Sequence, residues 1–139
     1  MTHPTQDDTP AMSARRVEVV MQSRALPYVT DDDNMVGMTW EDRTYWCEVT
    51  RWDQSVITVW SMWEGVLPLE TLRLFVARWH SENYWPRLSF EVDGFTRVTA
   101  TVSADFATGV ADRQLDAMIS MSVAKIREAF RKLTALEES

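Results

Sequence analysis

Few residues in this chain have the types and spacing that catalysis requires. Its two histidines are His3, near the start, and His80. One central histidine cannot build a multi-histidine metal site, and no nucleophile elbow is present to suggest a Ser-His-Asp triad. We interpret His80 as a partly exposed surface histidine. The alternative is a general base in a small hydrolase, acting with an acidic partner.

The single cysteine is a poor candidate nucleophile. Cys47 lies in a stretch rich in β-branched and aromatic residues, and no basic cluster or helix start is recognisable beside it to lower the pKa of its thiol. We therefore predict that it is a small buried apolar residue. One cysteine also excludes an internal disulfide framework and a cysteine-rich zinc site.

An acidic run at residues 31–34 can be tested as a calcium-binding loop. If the loop begins at Asp32, Gly37 occupies position 6, but Arg43 stands at position 12, where a bidentate Glu is required. We therefore interpret the run as an acidic surface turn. The glycines are scattered singly, so no phosphate-binding loop is recognisable either. The sequence predicts no catalytic residue, no metal site and no cofactor.

Tryptophan is the unusual feature of the composition, because all seven lie between Trp40 and Trp85. Two interpretations are open: the rings fill a core built from few elements, or some of them line an interface or a groove for a peptide or small ligand. The six that could converge are Trp46, Trp52, Trp60, Trp63, Trp79 and Trp85. All of these except Trp52 are our candidates for an interface or groove.

Length and charge narrow the class of protein. The 139 residues suit one domain, which we place at residues 13–139, after a disordered tail at residues 1–12. The net charge of −7 disfavours nucleic acid and anionic membranes as partners. No stretch approaches the ~20 apolar residues of a membrane span. The polar start lacks a secretory signal, so we expect a cytoplasmic protein.

The first half of the domain predicts a helix and three strands. The helix covers residues 13–24, with Ser13 as its cap, and Pro27 ends it. We predict a connector at residues 28–34. The strands follow at residues 35–40, 44–52 and 55–64.

The third of these strands is apolar on both faces, which is typical of a strand covered on both sides. Its two alternating sets are Val56, Trp60 and Met62 on one side and Ile57, Val59 and Trp63 on the other. We expect helices of the chain to cover one side. A further helix or a second subunit would cover the other.

The second half predicts a helix, a hairpin and a long helix. The helix runs from Pro68 to about Asn83, and two alternating strands flank the turn at Asp93-Gly94. A long amphipathic helix begins near Asp112. The fold class is therefore α+β, with the order α-βββ-α-ββ-α and helices packed on an antiparallel sheet.

Three local strings resemble the YbjN domain family. They are Trp-His-Ser-Glu-Asn-Tyr-Trp-Pro-Arg-Leu-Ser-Phe-Glu-Val-Asp at residues 79–93, Gly-Val-Ala-Asp-Arg-Gln-Leu at 109–115 and Leu-Pro-Tyr at 26–28. The first is similar to the family's Trp-Asn-like pair and its aromatic-Pro step into a strand. The second resembles the entry to the last helix, and the third precedes an acidic turn. The resemblance covers about residues 13–134.

The resemblance implies a fold like that of type III secretion chaperones, which are mostly dimers that bind segments of partner proteins. The family is described as a proposed regulator of sensory transduction, and no catalytic residue is implied. Two positions depart from the pattern: His80 stands where Asn is frequent, and Ala111 stands where a capping Ser or Thr is usual. The lost cap is worth ~1 kcal/mol, although Gln114 can still sit at helix position N3.

We therefore expect a non-enzymatic, homodimeric interaction protein of chaperone-like or regulatory type, with an unknown protein partner. Its interface is expected on the second helix and an adjacent strand, with Trp60, Trp63 and Trp79 as anchors. The alternative is a small-molecule or peptide pocket lined by Trp46, Trp60 and Trp85.

Overall fold

A computed structural model describes residues 10–31, 35–50 and 55–139. Within them the chain forms helices and strands in the predicted order, with one further short strand near the start. The elements are α1 (Ala14–Ser23), β1 (Tyr28–Thr30), β2 (Met35–Trp40), β3 (Arg43–Val49), β4 (Val56–Gly65), α2 (Leu69–Glu82), β5 (Arg87–Val92), β6 (Thr96–Asp105) and α3 (Asp112–Glu138).

The strands form one six-stranded sheet in the order β1-β2-β3-β4-β6-β5. Neighbouring strands run antiparallel, with Gly37 opposite Trp46 in the β2–β3 pair and Leu88 opposite Ala100 in the β5–β6 pair. The predicted α+β class, with an antiparallel sheet and three helices, is confirmed.

Strand β1 corrects the prediction of a connector at residues 28–34. Tyr28–Thr30 pairs with β2, where Val29 lies opposite Gly37. The pairing extends backward, because the Thr39 N–H donates to the Pro27 carbonyl at 3.0 Å. Three residues are too few to show a strand period in the sequence, so only the neighbouring strand reveals this one. The rest of the acidic run lies outside the described residues.

The ends of α1 and α3 follow the predicted local signals. The Ser13 hydroxyl accepts the Arg16 N–H at 3.3 Å, which confirms Ser13 as the cap of α1. Ala111, at the cap position of α3, has no side-chain oxygen. Its own N–H donates to the Gln114 side chain at 3.0 Å, so half of a capping box is retained at the entry to α3.

The chain divides into two compact units. Unit 1 comprises Met1–Val59 and Ser103–Met121, and unit 2 comprises Trp60–Val102 and Ser122–Ser139. Strands β4 and β6 and helix α3 each contribute one part to either unit.

Helix α1 builds the core of unit 1 by packing against β2 and β3. Its predicted apolar face is confirmed, since Val17, Val20 and Met21 are all buried. The other buried side chains of this core include Val36, Met38, Tyr45, Cys47, Val49, Ile57, Val59, Leu115 and Ile119.

Arg16 joins three segments of unit 1. Its guanidinium donates to the carbonyls of Pro10 and Val110 at 2.8 and 2.7 Å and to the Asp112 carboxylate at 2.7 Å. The Val110 N–H donates in turn to the Pro10 carbonyl at 3.0 Å, and Met12 is buried. Residues 10–12, which the sequence assigned to the tail, are therefore held against the start of α3.

The core of unit 2 lies beneath α2, which packs against β5. Its buried side chains come from both elements, from β4 and β6 and from the second part of α3. They include Trp63, Leu67, Leu72, Val76, Trp79, Leu88, Val98, Ala100, Val102, Val123, Ile126, Phe130 and Leu133.

Strand β4 is buried on one face only. Ile57, Val59 and Trp63 are fully buried, whereas Met62 is 41% exposed. Val56 and Trp60 are half-buried on the same side as Met62. In the described part of the chain this second face stays partly exposed, and its cover by a further helix or by another subunit stays a prediction.

Candidate protein-interaction site

Local sequence signals place α2 and orient its core face. Pro68 is the N-cap residue in an extended conformation, and Glu70 lies in the first turn, where a carboxylate favours the helix dipole. Leu72, Val76 and Trp79 recur at helical spacing and are buried. One side of α2 is thus committed to the core of unit 2.

The other side of α2 is also apolar. Leu74 is 70% exposed, and Phe75 is half-buried beside it. Together with one residue near the end of α3 they border an open groove of about 650 Å³. We call this the α2 groove; its lining residues are Thr71, Leu74, Phe75, Ala77, Arg78, Ser81 and Leu136.

Phe75 connects the α2 groove with the core beneath it. Its ring stacks on that of Trp79, with the ring centroids 6.2 Å apart. The Lys132 ammonium lies 5.5 Å from the centroid of the same indole. One wall of the groove is therefore formed by a half-buried ring that stacks on a buried indole.

Two of the predicted anchors are core residues. Trp63 and Trp79 are 4% and 3% exposed, and each indole N–H has a partner inside unit 2. Trp63 donates to the Thr134 hydroxyl at 3.0 Å, and Trp79 donates to the Pro86 carbonyl at 3.0 Å. Their rings are not on the surface, so contact with a partner would require them to leave the core.

The other three candidates are half-buried and lie on β3, on β4 and in the connection between α2 and β5. Trp46 on β3 covers Gly37, where an added Cβ would lie 2.5 Å from the indole ring. Trp60 lies on β4, and Trp85 packs edge-on against the exposed Tyr84 at 4.8 Å. None of the five predicted tryptophans lines the α2 groove, and Trp52 lies outside the described residues.

His80 stabilises the edge of the sheet. Its Nε2 atom accepts the N–H of Leu88 at 2.9 Å, and β5, which carries Leu88, is the last strand of the sheet. Partial burial, and then the nearby positive charge of Arg87, lower the pKa of His80 below its usual 6.5. The neutral ring that accepts this bond is therefore favoured. A structural acceptor explains the residue without a catalytic role.

Cys47 lies in the core of unit 1, as predicted. Cys47 is fully buried, and burial raises the pKa of its thiol to about 12, which confirms it as a buried apolar residue. Within residues 10–31, 35–50 and 55–139, no group of three or more His, Cys, Asp or Glu side chains is arranged to hold a metal ion.

Unit 1 has a smaller cleft. It lies between α1 and the start of α3 and has a volume of about 440 Å³, and its lining includes Val19 and Val20 as well as charged side chains. Arg16 and Asp112 pair across it at 2.7 Å.

The groove residues Leu74 and Leu136 were not among the predicted site residues, because those predictions rested on tryptophan alone. A signal was present in α2 itself. Leu74 and Ala77 fall outside the stripe formed by Leu72, Val76 and Trp79, so the helix is apolar over more than one face. A helix of that kind is buried on more than one side or meets a partner.

The fold is that of a small α+β protein, and its second helix carries an exposed apolar groove. The model of the YbjN family, described as "Putative bacterial sensory transduction regulator", matches residues 13–135. The chain belongs to this family, as the sequence resemblance predicted.

Solved structures share the fold at low sequence identity. YbjN from E. coli, titled "a putative transcription regulator", aligns with a TM-score of 0.74 at 9% identity, over 92% of this chain and 95% of that one. An uncharacterized protein from Methanothermobacter thermautotrophicus gives 0.64 at 12%, over 91% and 99%.

The chaperone resemblance is confirmed at the level of the fold. The Yersinia pestis type III secretion chaperone SycH, solved in complex with a stable fragment of YscM2, aligns with a TM-score of 0.53 at 11% identity, over 81% of this chain and 94% of that one. No curated protein matches the chain by sequence. No helix among the described residues is long and apolar enough to cross a membrane.

Proposed function

We propose that this protein is a non-enzymatic interaction protein, chaperone-like or regulatory, which binds protein as a homodimer in the cytoplasm. One observation carries the proposal: α2 presents an apolar groove, with Leu74 70% exposed, on the side opposite its core face. An exposed apolar surface held on a rigid helix is typical of a protein interface.

Family and fold support the class of function. The family is described in regulatory terms, and the SycH structure contains a bound protein fragment. A shared fold does not carry a shared partner, so the partner is left open. The His80–Leu88 bond and the buried Cys47 give structural roles to the residues that an enzyme would have used.

The proposed surface keeps the predicted helix but changes its anchors. Trp63 and Trp79 support it from the core, and Leu74 and Phe75 take the exposed positions. Trp60, half-buried on β4, stays a candidate of the adjacent strand. The residues that line the α2 groove and the unit 1 cleft include no tryptophan, and a tryptophan-lined pocket elsewhere is the alternative function.

The direct test is the mass in solution. Light scattering across the micromolar range should give twice the 16.1-kDa chain mass. Leu74→Glu should shift the protein to monomer with an unchanged circular dichroism spectrum, because it places a charge in the apolar contact.

Val19→Glu is the matched control, since Val19 is an exposed apolar residue on α1 at 46%. It should leave the dimer intact. A wild-type chain that is monomeric throughout the range would contradict the homodimer, and equal effects of the two variants would remove the special role of α2.

A further inference from the structure

We propose that one end of the sheet in unit 2 is a second docking surface, and that its partner is an apolar protein segment bordered by lysine or arginine. The surface, which we call the hairpin patch, consists of Val66, Leu69, Val92 and Phe95. The inference takes its class of ligand, protein, from the proposed function. It depends neither on the homodimer nor on the α2 groove.

The hairpin patch is assembled around a buried threonine. The Thr96 hydroxyl accepts the Leu67 N–H and donates to the Leu67 carbonyl, both at 3.2 Å. These two bonds bring the neighbouring residues in the chain, Val66 and Phe95, to the same end of the sheet. Val92 lies opposite Thr96 in the β5–β6 pair, so it belongs to that end as well.

Leu69 completes the patch. It is the first residue of α2, two positions after Leu67, and α2 packs against β5. The exposed fractions of the four side chains are 69% for Val66, 40% for Leu69, 45% for Val92 and 43% for Phe95. A single exposed apolar residue is ordinary on a protein surface. Several at one place are typical of an interaction site.

The backbone that presents the patch is held within unit 2. Thr96 is fully buried, and the Val66 N–H donates to the Glu137 carboxylate. The Trp63 ring covers Gly65 so closely that an added Cβ would collide with it. A surface that is already ordered loses little conformational freedom on binding, so these apolar side chains are prepared for a partner.

An arginine joins the patch to a row of charged side chains. The Arg97 guanidinium lies 5.4 Å from the centroid of the Phe95 ring. It also contacts the carboxylates of Glu64 and Glu91, at 3.1 and 3.3 Å. One guanidinium balances the charge of only one carboxylate, so this row is acidic.

Further acidic groups border the same end of the sheet. Asp93 lies in the hairpin turn, and Glu137 accepts the Val66 N–H. The Glu70–Arg73 ion pair at the start of α2 is neutral. The groups around the patch therefore carry a net charge of −3, although unit 2 as a whole holds eight acidic and eight basic residues. The acidity is local to the patch.

This local charge favours one kind of partner. A second copy would bring the same acidic groups against one another, and an anionic bilayer would meet them with its own negative charge. An apolar segment bordered by lysine or arginine instead buries its apolar residues on the patch. Its cations then lie near the unbalanced carboxylates, which is the complementary arrangement.

Three labelled peptides of equal length test this chemistry by fluorescence anisotropy. The first is Lys-Lys-Leu-Val-Phe-Val-Leu-Lys-Lys, the second has Glu in place of every Lys, and the third has Ser in place of every apolar residue. Only the first should bind, and added salt should weaken it. The third peptide controls for general attraction to a chain of net charge −7.

Loss of an apolar side chain locates the binding. Phe95→Ser should weaken binding of the first peptide about tenfold, because it removes the aromatic anchor of the patch. Val29→Ser is the matched control, since Val29 is a 64% exposed apolar residue on β1 in unit 1. Leu74→Ser tests the α2 groove. Both of these variants should bind like the wild-type chain, and circular dichroism checks that all three are folded.

Reversal of one charge tests the acidic border. Asp93→Lys should weaken binding of the first peptide roughly fivefold and strengthen binding of the glutamate peptide. Asp93→Asn, which keeps a residue suited to the turn, should lie between the two. Glu48→Lys changes the net charge equally on β3 in unit 1 and should have little effect. Equal effects of Asp93→Lys and Glu48→Lys would overturn the proposal, because binding would then follow net charge alone.

The outcomes separate the hairpin patch from the proposed function. A dimer in solution that does not distinguish the three peptides overturns the patch and leaves the homodimer intact. Flotation with phosphatidylcholine vesicles that Phe95→Ser abolishes would assign the patch to lipid, and loss of the dimer in Phe95→Ser would assign it to a second copy. Either result overturns the proposal. Selective binding of the first peptide that Phe95→Ser and Asp93→Lys weaken supports it, even for a monomeric chain.

Discussion

The two units differ in their net charge and in the large apolar side chains that they expose to solvent. Unit 1 contains 13 acidic and 6 basic residues, and unit 2 contains 8 of each. The whole net charge of −7 thus belongs to unit 1. Among the described residues, the large apolar side chains that remain exposed are concentrated in unit 2: Met62, Val66, Leu69, Leu74, Tyr84, Val92 and Phe95, against Val19, Val29 and Met121 in unit 1.

Helices α1 and α2 show the same difference locally. Both bury one apolar face in the core of their own unit. The outer residues of α1 include the Arg15–Glu18 ion pair, and Arg24 ties the helix to Asp116 at 2.6 Å. The outer side of α2 carries the Glu70–Arg73 ion pair together with Leu74. The difference is one of degree, since Leu74 is 70% exposed and Val19 on α1 is 46% exposed, and a more exposed apolar side chain favours contact with a partner.

The largest expected effect separates the two faces of α2. Trp79→Ala should lower the free energy of unfolding by roughly 3–5 kcal/mol, because it empties a core position and leaves the Pro86 carbonyl without its donor. Leu74→Ala should change it by less than about 0.5 kcal/mol. Urea unfolding at low protein concentration measures both.

One result would contradict this comparison of the two faces of α2. Comparable losses for the two variants in the monomer would mean that Leu74 belongs to the core and that α2 has no free face.

The next largest expected effect concerns Arg16, which holds residues 10–12 against the start of α3 in unit 1. Arg16→Ala should cost about 2–3 kcal/mol, because the carbonyls of Pro10 and Val110 lose charged donors. Arg15→Ala, one residue away and exposed, should cost less than about 0.5 kcal/mol. Hydrogen exchange should show lost protection at the Val110 N–H only for Arg16→Ala. Equal losses of unfolding free energy for Arg16→Ala and Arg15→Ala would show that Arg16 is an ordinary surface residue.

The smallest effect concerns pH and the edge of unit 2. The folded pKa of His80 is lowered below 6.5, so the unfolded chain binds more protons just below that pH. The contribution of neutral His80 to the free energy of unfolding should therefore be fully present above pH 6.5. It should decrease as the pH drops toward the pKa of His80 in the folded chain. His80→Ala should remove about 1 kcal/mol at neutral pH through the lost acceptor for Leu88.

His80→Gln is the control for this effect, because its amide oxygen can accept the same N–H but does not titrate. Urea unfolding at a series of pH values should show a smaller slope just below 6.5 for His80→Gln than for the wild-type chain. An identical slope in both would assign the pH dependence to other groups.

Local patterns in the sequence predicted most of the secondary structure, since each depends on neighbouring residues. The Ser13 cap, the turn at Asp93-Gly94 and the amphipathic period of α3 are examples. The apolar residues that recur at helical spacing in α3 are buried, among them Leu115, Ile119, Ile126 and Leu133. Strand β1 was missed because its three residues acquire their conformation from pairing with β2. Because β1 depends on pairing with β2, its own residues show no strand periodicity.

The candidate site was less predictable. Tryptophan content drew attention to α2 and the neighbouring strands, yet it could not distinguish Trp79, stacked beneath Phe75, from a ring on the surface. Large aromatic side chains are equally suited to a core and to an interface. The exposed side of α2 was found through Leu74, whose residue type alone predicts burial.

The sequence by itself determined every described element except β1, together with the α+β class and the family, because these depend on periodicity, capping and short strings of residues. Only the tertiary structure decided which apolar side chains are core and which are exposed, and that His80 serves the edge of the sheet. The physical reason is that periodicity shows which residues share a face. Burial depends on what another segment of the chain places against that face, and nothing within α2 encodes that Trp79 is covered while Leu74 is left open.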